Sequence, residues 1–371
     1  MKAFLISDTH FGTHILDVDE WLNMMKDYFY SFFIPLLEEK VEDGDILIHL
    51  GDLFDNRSQI PIHVLNAVDE ILVRISEILP IHIIVGNHDI YNKNTNEINS
   101  PKTFRWIPNV HVYEETTLIE YNDKKLVLMP WVNTKKEQIN KLKEYSGSDY
   151  LFCHSDLNGC RMHLSSVAWK NKNKIDVEEF ASYKAVYSGH IHIRQENKNF
   201  KFIGSPYHLD RNDYGDKKGV YILNIDSGEE EFIENNVSPE YKRLKILKSE
   251  DLEKLENVDC TKNYIDLYLS NNLLINDRKV RRRVEGILEK KKFAKIEYVN
   301  DLKSKEVGEK IEESIKQSIE SEEFDLDNMN FDDMDKTIRK YIETITWSDE
   351  KVKDGVLEEF ENISNIFKNQ N

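Results

Sequence analysis

Two patterns of apolar positions alternate along the first 240 residues. Short, nearly uninterrupted apolar runs recur at 3–7, 45–50, 81–85, 125–129, 150–153, 185–187, 200–203 and 220–225. Runs of that length without polar alternation predict strands buried on both faces. Between them, 18–39 and 62–78 carry apolar residues at helical spacing. The alternation predicts an α/β core of two sheets flanked by helices. From about residue 241 the order changes to strand, strand, helix, strand (243–247, 264–269, 279–290, 294–299), a small α+β unit. Residues 301–335 are charged and poor in large apolar side chains, the composition of a linker. Two short helices then close the chain. The last has Ser348 as N-cap, Trp347 placed to staple Val352, and one apolar face at Val352, Val356, Phe360, Ile363 and Phe367. The plan is therefore 1–240, 241–300, 301–335 and 336–371.

Composition narrows the class. With 40% hydrophobic and 32% charged residues, the chain reads as soluble and globular. The opening apolar run is too short for a signal peptide and reads as a first strand, and no run approaches the roughly 20 apolar residues of a membrane span. Three cysteines without C-x-x-C pairing fit a reducing compartment, so a cytoplasmic location is expected. The net charge of -18 weighs against a nucleic-acid partner until its distribution is considered. Residues 241–300 hold 15 Lys/Arg against 10 Asp/Glu, and 301–371 hold 10 against 20. The basic excess concentrates in Arg278, Lys279, Arg281, Arg282 and Arg283, on a helix with Val280, Val284, Ile287 and Leu288 along its apolar side. That helix suits DNA phosphates, or is a solvated face.

The chemistry stands at the strand ends. Asp8-Thr9-His10, Gly51-Asp52-Leu53-Phe54-Asp55, Gly86-Asn87-His88-Asp89, His154 and Gly189-His190-Ile191-His192 each lie at or just after a predicted strand. Singly, each reads as a capped turn or a hydrogen-bonded core group. Together they bring carboxylate, imidazole and amide donors from five loops to one sheet edge, where α/β folds place their sites. A mixed Asp/Asn/His set without thiolates suits manganese, iron or zinc rather than a structural cysteine site. Asp52, on a tight turn, is the candidate to bridge two ions about 3.5–4 Å apart, an arrangement that serves in-line displacement at phosphorus. No Walker-type or kinase signature occurs, which favours hydrolysis.

In this order, and with Met129-Pro130-Trp131 and Gly204-Ser205-Pro206 between and after them, the motifs resemble the calcineurin-like metallophosphoesterases over residues 1–210. Within that superfamily the chain resembles the SbcD-type nuclease subunits of double-strand-break repair complexes, and most of all the small subunit of tailed-phage recombination endonucleases. The resemblance implies a two-sheet sandwich with a capping α+β domain and a C-terminal helical hairpin. It implies one divalent ion, manganese first among candidates, on Asp8, His10, Asp52 and His192, and a second on Asp52, Asn87, His154 and His190. It places His88 at the scissile phosphate. Many cellular members carry a second active-site histidine three residues after the bridging aspartate; Asp55 stands there and joins His88 as a candidate catalytic residue. The implied activity is 3′→5′ exonuclease and single-strand endonuclease on DNA ends in recombination and repair. The implied partner is an SMC-like coiled-coil ATPase, bound through Val352, Val356, Phe360, Ile363 and Phe367, in the host cytoplasm if the chain is phage-encoded. A homodimer is also expected through helix 62–78, whose Val64, Leu65, Val68, Ile71, Leu72 and Ile75 exceed one core-facing stripe. The alternative is a protein or small-molecule phosphatase of the same superfamily, although Asp89 and Asn56 stand where protein phosphatases carry Glu and Arg. A non-catalytic DNA-end scaffold is disfavoured because no ligand position is lost.

Overall fold

The computed structural model describes residues 1–299 except 14–17, Lys93, Asn122 and Trp169. A first sheet is begun by β1 (Lys2–Ile6), β2 (Ile46–His49), β3 (Ile81–Ile84) and β4 (Val110–Tyr113), all mutually parallel. The second contains β5 (Thr117–Tyr121), β6 (Lys124–Met129), β7 (Tyr150–His154), β8 (Ala185–Gly189), β9 (Gln195–Asn197) and β10 (Phe200–Phe202), in the order β5-β6-β7-β8-β10-β9. The chain then returns to the first sheet with antiparallel β11 (Gly219–Asn224) and β12 (Glu230–Glu234), giving β12-β11-β1-β2-β3-β4.

The continuous apolar runs follow from burial on both faces. In β1, Ala3 and Leu5 enter the layer between the sheets with Leu126, Leu128, Tyr150 and Phe152, while Phe4 and Ile6 face the helices. That helical layer is α1 (Val18–Tyr28), α2 (Ile34–Lys40) and α3 (Ile62–Ser76). The single helix expected over 18–39 is interrupted by a wide π-turn, Phe29–Phe33, just before Pro35. Proline has no N–H for the i−4 bond, so the ladder must slip there. The outer face of the second sheet is covered by α4 (Lys135–Glu144) and the segment around Ile175 and Phe180.

The expectation for α3 needs correction. Val64, Val68, Ile71, Leu72 and Ile75 are buried within this one chain and Leu65 is half-buried. The helix packs on both the sheet and α1, so more than one stripe is covered internally. Little is left of the surplus apolar surface from which pairing of two copies was expected: Ile62, at the first turn, is strongly exposed, and Leu65 and Val73 are partly so.

After residue 240 comes a small parallel sheet, β13 (Tyr241–Ile246), β14 (Tyr264–Ser270) and β15 (Lys295–Val299), with α5 (Leu252–Asn257), α6 (Asn271–Asn276) and α7 (Arg278–Leu288) in its crossovers. The expected single helix is thus joined by two short ones. Its own core gathers Ile246, Leu252, Leu255, Leu267, Leu269, Val280 and Val284. Aromatic and polar ties hold it to the larger body, Tyr264 lying against Trp21. His208 takes the Tyr241 N–H on Nδ1 and bonds the Asp216 carbonyl through Nε2, each at 3.0 Å, and Arg211 reaches Asp266 at 3.1 Å. The candidate partner-binding residues Val352, Val356, Phe360, Ile363 and Phe367, with the linker and hairpin, lie outside the described residues.

Candidate metal centre

Five strands deliver their C-terminal ends to one place: β1, β2 and β3 from the first sheet, β7 and β8 from the second. The turns that follow are strained. Asp8 (φ 53°), His10 (φ 44°), Asp52 (φ 55°) and His190 (φ 84°) all sit in the left-handed region, four of the seven described non-glycine residues that do. Such conformations cost about 1–3 kcal/mol each and persist only where surrounding bonds over-determine them. Here the Asp8 amide donates to Gly51 O at 3.0 Å, the His10 amide to Asp52 O at 3.1 Å, and the His190 amide to the Asp8 carboxylate at 3.0 Å. Two glycines are required by close approach. A Cβ on Gly51 would meet the His154 ring at 2.5 Å, and one on Gly86 would land on the Asp52 carboxylate.

The side chains form two groups that share Asp52. In the first, Asp8, His10 and His192 converge, with His10 Nε2 3.9 Å from Asp8 Oδ1, 3.7 Å from Asp52 Oδ2 and 3.2 Å from His192 Nε2. Two buried imidazole nitrogens facing each other beside two carboxylates are a poor hydrogen-bond arrangement and a good cation site. In the second group, His154 Nε2 lies 3.2 Å from Asp52 Oδ2, and Asn87 Oδ1 lies 3.0 Å from His154 Nε2 and 2.9 Å from His190 Nδ1. His154 donates its Nδ1–H to the Leu50 carbonyl at 2.7 Å, so Nε2 is the nitrogen turned into the group, where an ion would take the place of a proton. The structure thus brings together all seven residues expected as ligands.

Electrostatics agree with a cation site. Burial opposes ionisation of Asp52, yet His154, His10 and His88 hold it well below the usual carboxylate range. Burial likewise opposes protonation of His154, but Asp52 outweighs it and raises the imidazole to about 9. Burial, then the neighbouring His10, pushes His192 down to about 4, so it stands as a neutral electron-pair donor. A group of anions and lone pairs that attracts a proton this strongly attracts a metal ion by the same field.

His88 and Asp55 border the first group. The His88 amide donates to Asp52 Oδ1 at 2.8 Å, and its ring packs edge-on to His10 with centroids 4.9 Å apart. His88 Nδ1–H is spent on the Asp55 backbone carbonyl at 2.8 Å, while the Asp55 carboxylate lies 3.2 Å from His10 Nδ1. Three further contributors have roles that the sequence reading did not assign, Asp89 and Trp131 having been named there only as motif members. Asp89 is fully buried and accepts the amides of Asp52, Leu53, Phe54 and Gly86 at 2.9–3.2 Å, pinning the Asp52 turn to the Asn87 turn. Burial and the charge of Asp52 push its carboxyl up to about 7 against those amides. Lys218, 3% exposed, donates to the His192 carbonyl at 2.6 Å and pairs with Asp213 and Asp216. Trp131 stands against His190 and His154, with centroids 5.1 and 6.1 Å away.

A family model for calcineurin-like phosphoesterase matches residues 1–194. The chain belongs to that family. This phosphoesterase is accordingly a hydrolase of phosphate esters, and its His/Asp groups are those of a divalent-metal enzyme. It is similar to Exonuclease subunit 1 of Enterobacteria phage T4, 29% identical over 245 residues that span 64% of this chain and 69% of that protein. It is also similar to the DNA double-strand break repair protein Mre11 of Sulfolobus acidocaldarius, 25% identical over 79% of this chain and 71% of the relative. Mre11 of Sulfurisphaera tokodaii matches at 26% over 77% and 70%. No described helix is long and apolar enough to cross a membrane.

Proposed function

We propose that this phosphoesterase is a manganese-dependent DNA nuclease, acting as 3′→5′ exonuclease and single-strand endonuclease on DNA ends, as a subunit working with an SMC-like ATPase. The observation that carries the chemistry is the pair of donor groups sharing Asp52 with His88 on the same rim. DNA as substrate is supported by relatives named for exonuclease activity and double-strand break repair. Asp8, His10, Asp52 and His192 would hold one ion and Asp52, Asn87, His154 and His190 the other. When bound, the ions supply Lewis acidity that makes water nucleophilic at neutral pH and offsets charge at phosphorus. The remaining work falls to the chain. Asp55, through its carbonyl, fixes the His88 ring and leaves Nε2 as the nitrogen that can pass a proton to the leaving oxygen. Through its carboxylate it orients His10.

On α7, Arg283 forks onto Glu256 at 2.6 and 2.8 Å and Arg281 pairs with Glu285 at 2.9 Å. Arg278, Lys279 and Arg282 are exposed and are the members of the basic set proposed to meet DNA phosphates. The test is Mn2+-dependent hydrolysis of a 3′-labelled linear duplex, a single-stranded circle, a phosphopeptide and p-nitrophenyl phosphate. Nucleotides released from the duplex end and nicks in the circle are expected. Turnover of phosphopeptide with both DNAs left intact would make this a phosphatase instead.

A further inference from the structure

The two imidazoles of the second donor group are held differently. His154 is 1% exposed and locked by the Leu50 carbonyl. His190 lies on a left-handed turn beyond its strand, with 18% of its side chain exposed. Its Nδ1 points at Asn87 Oδ1 and its Nε2 lies 2.8 Å from Asp156 Oδ1. The other oxygen of Asp156 takes the Lys174 ammonium at 2.5 Å. An ionised carboxylate only accepts, so this contact holds a proton on Nε2 and leaves Nδ1, which faces the acceptor oxygen of Asn87, as the nitrogen whose lone pair would meet an ion in the donor group. The Lys174 ammonium holds the Asp156 carboxylate in place. Both come from the loop between β7 and Val177, which is tied to itself by Asn158 N to Ile175 O at 2.8 Å and Asn158 Nδ2 to Asp176 at 2.7 Å. Trp131 closes off another side of the ring.

We infer that Asp156, braced by Lys174, is a positioning residue that fixes the tautomer and ring angle of His190 and so sets the affinity of the second half-site for its ion. This rests on the reading of His190 as a ligand. Asp156 reaches the centre through His190, a member of the second group, so its effect should be confined to one ion of the two.

The experiment uses the full chain, metal-stripped, and titrates Mn2+ alone while the spectrum of free aqueous Mn2+ is followed by electron paramagnetic resonance. Wild type should take up two ions, and His190→Ala should lose one of them. Asp156→Ala should keep one ion at wild-type affinity and bind the other about 10–100-fold more weakly, the usual scale for an outer-shell partner. Asp156→Asn, which keeps an acceptor oxygen but not the charge, should fall between, and Lys174→Met should weaken the same ion less. With 15N-labelled histidine and no metal, the His190 Nε2 should carry its proton throughout in wild type and only part of the time in Asp156→Ala. Two ions bound at wild-type affinity in Asp156→Ala, or equal weakening of both, would overturn the inference. Should Asp156→Ala unfold, unchanged second-ion affinity in both Asp156→Asn and Lys174→Met does so. A wild type that binds fewer than two ions, or a His190→Ala chain that retains both, sinks the underlying two-ion reading instead.

Discussion

The two halves of the centre are built by different means. The Asp8/His10/His192 half is made mainly by backbone: positive φ at Asp8 and His10, amides returned to Gly51 and Asp52 carbonyls, and a buried lysine on the His192 carbonyl. The Asn87/His154/His190 half has one strained residue, His190, and relies more on side chains, including an aspartate from a long loop and a tryptophan at the rim. Backbone strain held by several bonds cannot relax singly, whereas a loop carboxylate can be lost without disturbing a strand. The first half should therefore be the tighter and less adjustable, and the second the one through which occupancy responds to substitution. Asp52 belongs to both.

Removing the shared residue gives the largest expected effect and the most direct way to break the comparison. Asp52→Ala should lower metal content at both half-sites and hydrolysis by about 10³-fold, while circular dichroism shows the fold retained. If elemental analysis finds both ions at wild-type stoichiometry, the halves do not meet at Asp52. Next in size is His88→Ala. His88 bonds Asp52 through its amide, which alanine keeps, and its ring only packs edge-on to His10, so both ions should bind nearly as in wild type while turnover falls about 10²-fold. Near-normal turnover would move the proton-transfer role elsewhere.

Much of this was legible in the chain, for a physical reason. Strands buried on both faces must be continuously apolar, so β1, β2, β3 and β7 stand out, and so do the glycine-acid-histidine clusters that end them, whose polar groups are buried only because they are paired. What failed to show was whatever depends on partners distant in sequence. β4 and β5 bury alternate or partial faces and carry no continuous run. Asp89 sits inside a recognised motif, yet its task of holding the amides of Asp52 to Phe54 exists only once a turn 36 residues earlier is folded against it. Asp156 and Lys218 look like ordinary surface charges until their partners are known. The reading of α3 erred in the opposite sense: its apolar residues were counted correctly, but the number of neighbours covering them is a tertiary fact.

A smaller effect is expected where the first half does borrow a side chain. The Asp55 carboxylate lies against His10 Nδ1 as Asp156 does against His190, but His10 is also fixed by backbone and fully enclosed. Asp55→Ala should weaken one Mn2+ by about tenfold, the lower end of the outer-shell range, with turnover largely restored at high Mn2+. A loss exceeding that of Asp156→Ala in the same titration would reverse the ranking of the two halves.

The smallest expected effect lies outside both halves and shows whether acid acts through them or through the frame. His82 on β3 is 5% exposed, shares a hydrogen bond with the Tyr113 hydroxyl at 2.8 Å, and has the His111 ring 5.1 Å away. Burial, with the neighbouring His111, pushes it down to about 4 from an ordinary 6.5. Between those values the unfolded chain binds the proton that the folded chain refuses. Stability is therefore full above pH 6.5 and is lost as pH falls toward 4. The ceiling is about 3 kcal/mol at 1.36 kcal/mol per unit, which at about 2–4 °C per kcal/mol is a Tm decrease of several degrees. His82→Phe should flatten that part of the Tm–pH curve, and do so equally in chelator and in Mn2+, because the residue belongs to neither half-site. If the variant keeps the whole slope in chelator and Mn2+ abolishes it, acid sensitivity resides in the metal-binding histidines, and the frame contributes nothing to it.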